Sequence, residues 1–299
     1  MREKYEEELI KLFLIQRRTR DRGDLAVATK ILDQIDSLLA SLPIEQIGRE
    51  LSRSAYERAY ILGLQGNTQE SSRCFSQSAE YARIAGDDLR RIVGEFRAQL
   101  TLYLGNIDDT ETIFQFIRSI YEDLSAIDTI PEADREFFLN TQHNILNRLT
   151  QISFEIGSGE FEFWSEAMLS HERVVRGTAD KVSIYVHAHQ NAVARRHMMA
   201  KNYVAAIEIF ERYLPTSPDE YHRCLAEHGS MSSGMNFALT DAEEIAREFR
   251  DFGLAAFNDG RPLSNQRAAQ IWQVGLLQGP KNGNARFIED IRRLLAQVG

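Results

Sequence analysis

The sequence predicts an all-α chain of antiparallel helical hairpins stacked one upon the next into a solenoid. Three observations predict it. Apolar residues recur at helical spacing along nearly the whole chain, breaks return near every forty residues in five of six steps, and at fixed offsets beyond them stand a column that is small in four of seven units and one that is large and apolar in six.

Each element follows from local chemistry. Between Glu6 and Arg20, Leu9, Ile10, Leu12, Phe13, Leu14 and Ile15 sit among charges and predict an amphipathic helix with a broad apolar face. Gly23-Asp24 ends it, with Asp24 expected to cap the next helix, and Ala28, Ile31, Leu32, Ile35, Leu38 and Leu39 continue the helical period to Pro43. The arrangement returns as Leu51–Leu64, Gly66-Asn67, and a helix through Phe75, Ala79 and Ala82. It returns again as Asp88–Leu104, Gly105-Asn106, and a helix through Ile113, Phe114, Ile117 and Ile120. Gly takes the left-handed backbone state that ends one helix, and Asp or Asn suits the start of the next.

The anchors Gly23, Gly66, Gly105, Gly159, Lys201, Thr240 and Gly283 lie 43, 39, 54, 42, 39 and 43 residues apart. The long step holds Ser125-Ala-Ile-Asp-Thr-Ile-Pro131, read as an extended connection before a helix starting near Pro131 or Glu132. Five residues beyond the anchors stand Ala28, Ser71, Thr110, Trp164, Ala206, Ile245 and Ile288. Four further on stand Leu32, Phe75, Phe114, Met168, Phe210, Phe249 and Arg292. A small residue permits close helix contact and a large one fills the neighbouring groove; Arg292 breaks the column and marks 264–299 as a candidate terminal cap. The chain is read as one repeat domain over 1–299, with a subdivision near 125–131 as the alternative.

This pattern resembles the tetratricopeptide family, most clearly in Lys201-Asn-Tyr-Val-Ala-Ala-Ile-Glu-Ile-Phe210-Glu-Arg-Tyr-Leu214 with Pro215 and Pro218, and in Gly23-Asp-Leu-Ala-Val-Ala-Thr-Lys-Ile-Leu32. The first helices lack the family's Trp, Leu, Gly and Tyr positions, Trp272 being the nearest match, and the period of roughly forty exceeds the family's usual 34. Longer units of this kind are similar to the divergent arrays of bacterial peptide-sensing regulators. The resemblance implies a right-handed solenoid whose first helices line a concave, partner-binding face.

Composition narrows the function. With 35 Lys plus Arg against 44 Asp plus Glu, the formal charge is −9, which gives no chain-wide attraction for nucleic acid. The cluster Arg17-Arg18-Thr19-Arg20-Asp21-Arg22 reads as a solvated helix end or a docking patch. Without an eighteen-residue apolar run or the order of a signal peptide, membrane insertion is not expected and cytoplasmic residence is the default. Cys74 and Cys224 are too few and too distant for a disulfide framework.

The chemistry-bearing residues assemble no reaction centre. His187 and His189 are two apart and point to opposite helix sides; His197 shares a face with His189, but no carboxylate completes a metal set. His222, Cys224, Glu227 and His228 match no cysteine-hydrolase signature. Gly229-Ser-Met-Ser-Ser-Gly-Met-Asn236 is no nucleophile elbow, and Gly275, Gly279 and Gly283 form no phosphate loop. Asp108-Asp109 and Glu122-Asp123 read as capping or solvating pairs. No catalytic residue, metal or cofactor is named.

The expected function is therefore that of an adaptor or regulatory module that binds a protein or extended peptide in a helical groove. Candidate contacts on first helices are Arg53, Tyr56 and Tyr60, then Gln99 and Tyr103, then Asn191 and Arg195, then Asn236. Arg engages carboxylates or carbonyls, Asn donates and accepts together, and Tyr offers a broad surface with a polar edge. The alternative is a small-molecule enzyme with a pocket near Cys224 and His228. The sequence carries no signal for oligomeric state.

Overall fold

The computed structural model describes residues 2–40, 42–176, 183–228, 242–277 and 285–298. Among them the chain is helical throughout, with no strand. The helices are α1 (Arg2–Asp21), α2 (Leu25–Leu39), α3 (Ile44–Leu64), α4 (Thr68–Ile84), α5 (Asp88–Leu104), α6 (Thr110–Ser125) and α7 (Arg135–Glu155). Then come α8 (Phe161–Arg176), α9 (Ser183–Met199), α10 (Tyr203–Phe210), α11 (Pro218–His228), α12 (Ala242–Asn258), α13 (Ser264–Leu277) and α14 (Ala285–Val298). None of the described helices is long and apolar enough to cross a membrane.

The chain folds as two compact units. The first holds Met1–Tyr103 with Glu122–Thr129, and the second holds Leu104–Tyr121 with Ile130–Gly299. In the first, α1 packs on α2, α2 on α3 and α3 on α4. In the second, α7 packs on α8, α8 on α9, α9 on α10, α12 on α13 and α13 on α14; next-but-one neighbours also touch, as in α7 with α9, α10 with α12 and α12 with α14. The connection after α6 is long, but the α-helix beyond it starts later than Pro131 or Glu132: Pro131 precedes a single 3-10 turn, Glu132–Asp134, and α7 starts at Arg135.

One turn chemistry ends five helices. After α1, α3, α4, α7 and α9 the chain places Gly23, Gly66, Gly86, Gly157 and Lys201 in the left-handed region. The following residue's N–H then reaches back five positions: Asp24 to Thr19 (3.1 Å), Asn67 to Leu62 (2.9 Å), Asp87 to Ala82 (2.9 Å), Ser158 to Ser153 (2.8 Å) and Asn202 to His197 (2.8 Å). These bonds satisfy carbonyls that a helix end leaves open. Two anchors shift: the left-handed residue is Gly157 rather than Gly159, and Asn106 rather than Gly105. Asp24 occupies the cap position of α2 without a side-chain capping bond, whereas Asn202 accepts one from Ala205 N–H. Thr240, Gly279 and Gly283 lie outside the described residues.

The small-then-large columns are buried. Ala28, Ser71 and Ala206 are sealed from solvent, as are Leu32, Met168, Phe210 and Phe249; Phe75 and Phe114 are nearly so, and Thr110 is half-buried. Arg292 is exposed, in keeping with its break in the pattern. Ile245 has no described side chain. Two helices differ from an amphipathic surface helix. Along α7, every residue from Ile145 to Ser153 is buried, and α12 buries Arg247, Glu248, Arg250 and Asp251 together with Phe249 and Phe252. These stretches are enclosed, so their polar residues must find partners inside the protein.

Candidate functional site

The partners of those enclosed polar residues form the most elaborate polar structure among the described residues. It begins at Asp251 on α12, which is fully buried. One oxygen accepts from Arg195 of α9 through Nε (3.0 Å) and Nη2 (2.7 Å); the other accepts from Arg250 through Nε (3.0 Å) and Nη2 (2.8 Å). Burial alone would raise the Asp251 carboxyl, but Arg250, Arg195 and Arg247 outweigh it and hold the group below the ordinary aspartate value. Asp251 is therefore a carboxylate at neutral pH.

A second branch runs through α9 and the segment after α10. Tyr213 donates its hydroxyl to Asn191 Oδ1, and Asn191 Nδ2 donates to Glu248. Burial, reinforced by the charge of Glu248, raises the Tyr213 phenol well above its ordinary value, so it remains a neutral donor. A third branch lies along α7, where Gln151 Oε1 accepts from Arg148 (2.9 Å) and Arg247, while Gln151 Nε2 donates to Asn147 (2.6 Å). Trp272 of α13 donates to the Arg250 carbonyl (3.2 Å). Gly253, one turn of α12 away, admits that indole; a Cβ there would lie 2.0 Å from Trp272 Nε1.

The network reaches solvent at a cleft. Arg250 Nη2 also reaches Glu155 Oε1 at 2.8 Å, and its Nη1 reaches Asp290 Oδ2 at 3.2 Å. Glu155 Oε2 faces Arg286 at 3.4 Å, and Arg286 also donates to Thr110 of α6 at 3.0 Å. Asp290 is paired with Arg293. Glu155, Arg250, Asp251, Arg286, Asp290 and Arg293 line a cleft of about 460 Å³ between the end of α7, the middle of α12 and one face of α14, with Phe154, Leu254 and Leu294 as its apolar walls and Gln297 also in its lining. That volume lies within the range of about 300–1,000 Å³ common to ligand sites. Exposure rises from Asp251, fully buried, to Arg293, whose side chain is 74% exposed.

The sequence-named contacts fall into three groups. In the first unit, Arg53, Tyr56 and Tyr60 share one face of α3 and are half-buried, as is Gln99 on α5. The Arg53 guanidinium lies 4.1 Å from the Phe13 ring centroid, Tyr56 meets Phe75 edge-on at 5.1 Å, and Tyr60 lies beneath Arg20 at 4.8 Å. Arg17 and Arg20 of the basic cluster are both paired with the buried Glu57. Their role in that helix end is thus partly internal.

Tyr103, Asn191 and Arg195 form the second group, and here the expectation is corrected. Tyr103 is sealed from solvent, and Asn191 and Arg195 are each 1% exposed, so none presents a surface to a partner. For Asn191 and Arg195 the physical reason is the enclosure of α12, whose Glu248 and Asp251 draw the amide and guanidinium of α9 inward. The third group is Asn236, which lies outside the described residues, as do Gly229–Asn236 as a whole. For the alternative pocket, Cys224 is half-buried and His222 exposed, while the side chains of Glu227 and His228 are not described. Among the described residues no cluster of three metal-ligating side chains occurs.

Sequence reasoning missed Glu155, Arg250, Asp251, Arg286, Asp290 and Arg293. One signal was available: Arg286, Asp290, Arg293 and Gln297 recur at helical spacing on the unit whose packing column is broken by Arg292. No protein-family model matches the chain, and no curated protein is similar to it.

Proposed function

We propose that the chain is a tetratricopeptide-like helical-repeat module that binds a protein or an extended peptide, and that the charged cleft of the second unit is its principal contact. The cleft is the observation that carries this reading. It offers apolar walls beside forked donors and carboxylates already held in place by buried neighbours, so little ordering entropy remains to be lost on binding. The recurring helix-ending turn and the buried small-then-large columns support the repeat architecture, in which successive hairpins form a right-handed solenoid. The half-buried stripe of Arg53, Tyr56 and Tyr60 is a secondary contact, and the reading assigns no catalytic residue, metal or cofactor.

A photo-crosslinking amino acid at Gln297, at Tyr56, and at the exposed control position Glu208 tests the proposal in cells. The expected result is a discrete set of protein adducts at Gln297, weaker adducts at Tyr56, and background at Glu208. Equal adduct patterns at all three positions would remove the cleft from consideration as a binding face.

A further inference from the structure

The outer face of α1 is unlike that of the other helices. Leu9, Phe13 and Gln16 are buried on its inner face, while Ile10, Leu14 and Ile15 are 55%, 48% and 51% exposed. Among the described residues no other helix exposes three large apolar side chains. Charge is segregated along the same face. Glu7 precedes the apolar residues and Arg18 follows them; both are exposed, and neither joins an ion pair with the described residues, whereas Arg17 and Arg20 are committed to Glu57. Glu7, Ile10, Leu14 and Arg18 recur at helical spacing and form one stripe that reads acid, apolar, apolar, base along the helix.

We propose that this stripe is the contact between two copies of the chain, with α1 of one copy lying antiparallel to α1 of the other. The order of the stripe is what selects a second copy. Turned end for end, it presents a base where the first presents an acid, so the same patch complements itself about a two-fold axis. With that axis between Ile10 and Leu14, Ile10 of each copy meets Leu14 of the other, and Arg18 of each donates to Glu7 of the other. A parallel pairing would set Glu7 against Glu7 and Arg18 against Arg18, and antiparallel helices also oppose their dipoles. A wholly acidic or wholly basic partner would meet like charge at one end. The chain's charge of −9 is not concentrated here, since α1 carries six basic and five acidic residues. One helix per copy makes a small interface, so the dimer forms with a dissociation constant of about 10–100 µM. Its residues are not those of the cleft, and it stands apart from the peptide-binding reading.

Sedimentation velocity of the full chain, from about 1 to about 500 µM, tests the proposal. The wild type is expected to pass from monomer to dimer across that range. Leu14→Glu weakens the association at least tenfold, because by symmetry it removes two apolar contacts and buries two carboxylates. Glu7→Arg and Arg18→Glu each weaken it about fivefold, since each sets like charges opposite one another at both ends. The double variant Glu7→Arg with Arg18→Glu restores it to within about twofold of the wild type. Its charges oppose the α1 dipole, so that recovery reports the pairing and not the stability of the helix. All three positions are exposed, so the variants fold, which circular dichroism verifies. A wild type that sediments as a monomer throughout would overturn the proposal and leave the stripe to a different partner. A dimer that persists in Leu14→Glu would place the contact elsewhere and overturn it too. Single charge reversals without effect, or a double variant no better than the singles, would overturn the antiparallel pairing on which it rests.

Discussion

Replacing Arg195 by Met removes a guanidinium that is 1% exposed from a carboxylate that is fully buried, while keeping most of the side chain's volume. The loss is two hydrogen bonds, at 2.7 and 3.0 Å, and the positive charge beside Asp251. Breaking a buried pair by removing one partner costs about 3–5 kcal/mol, because the remaining charge stays desolvated. Asp251 keeps two bonds from Arg250 on its other oxygen, so the expected cost lies near the lower end, about 3 kcal/mol. Both tryptophans of the chain, Trp164 and Trp272, belong to the second unit and are buried, so fluorescence during urea unfolding reports that unit alone. Asp251→Asn and the double variant complete a cycle whose coupling should exceed about 1 kcal/mol for groups in direct contact. A cost for Arg195→Met below about 1 kcal/mol would refute the reasoning, since it would mean that Asp251 is neutralised or hydrated at no expense.

Gly253→Ala should destabilise the second unit by up to about 3 kcal/mol in the same assay, because its Cβ would enter the Trp272 indole. The sign is the test, for Ala in an open helix interior would instead stabilise by about 1 kcal/mol. Lys201→Gly should raise stability by up to about 1 kcal/mol, since Lys201 holds a left-handed φ of 57° that a Cβ disfavours. On the acid side, the depressed Asp251 value gives a contribution that is full above its ordinary 3.8 and is lost as pH falls through the lower folded value; Asp251→Asn should flatten that limb of the stability profile. On the alkaline side, the raised Tyr213 value gives a contribution that is full below 10.0 and is lost as pH rises further, and Tyr213→Phe should remove it.

The helices were legible because their signals are local. The residue that ends one helix and the residue that starts the next are adjacent, as in Gly66-Asn67 and Lys201-Asn202, and the packing columns at Ala28 and Leu32 or Ala206 and Phe210 repeat at fixed offsets from them. The burial of α7 and α12 was not legible. Asn147, Arg148 and Gln151, like Arg247, Arg250 and Asp251, have the composition of a solvent-facing stripe, and helices beyond the adjacent one, α9 beside α7 and α9, α10 and α14 beside α12, complete their enclosure. The same cause moved the site. Asn191 and Arg195 sit one turn apart with chemistry suited to a peptide, and the acceptors that claim them, Glu248 and Asp251, are more than fifty residues downstream. A single chain's pattern shows that a polar residue lies on a helix face; it does not show what is packed against that face.

The position of the buried network explains why the cleft lies at α14 rather than along the first helices. Apolar residues in place of Arg195 and Asp251 could fill the same space at little or no cost to stability, since desolvation offsets most of what a buried pair gains. What they could not do is hold Arg250. Its Nε and Nη2 are anchored on Asp251, and this directs Nη2 also to Glu155 and Nη1 to Asp290 at the cleft floor. The carboxylates so engaged in turn orient Arg286 and Arg293 on α14. An unbroken sequence of paired charges therefore runs from a side chain with no solvent contact to one that is mostly exposed, and each group is held by the one beneath it. Fixed donors of this kind lose little freedom when an acceptor arrives, so the enclosed polar face of α12 organises the surface that α14 presents.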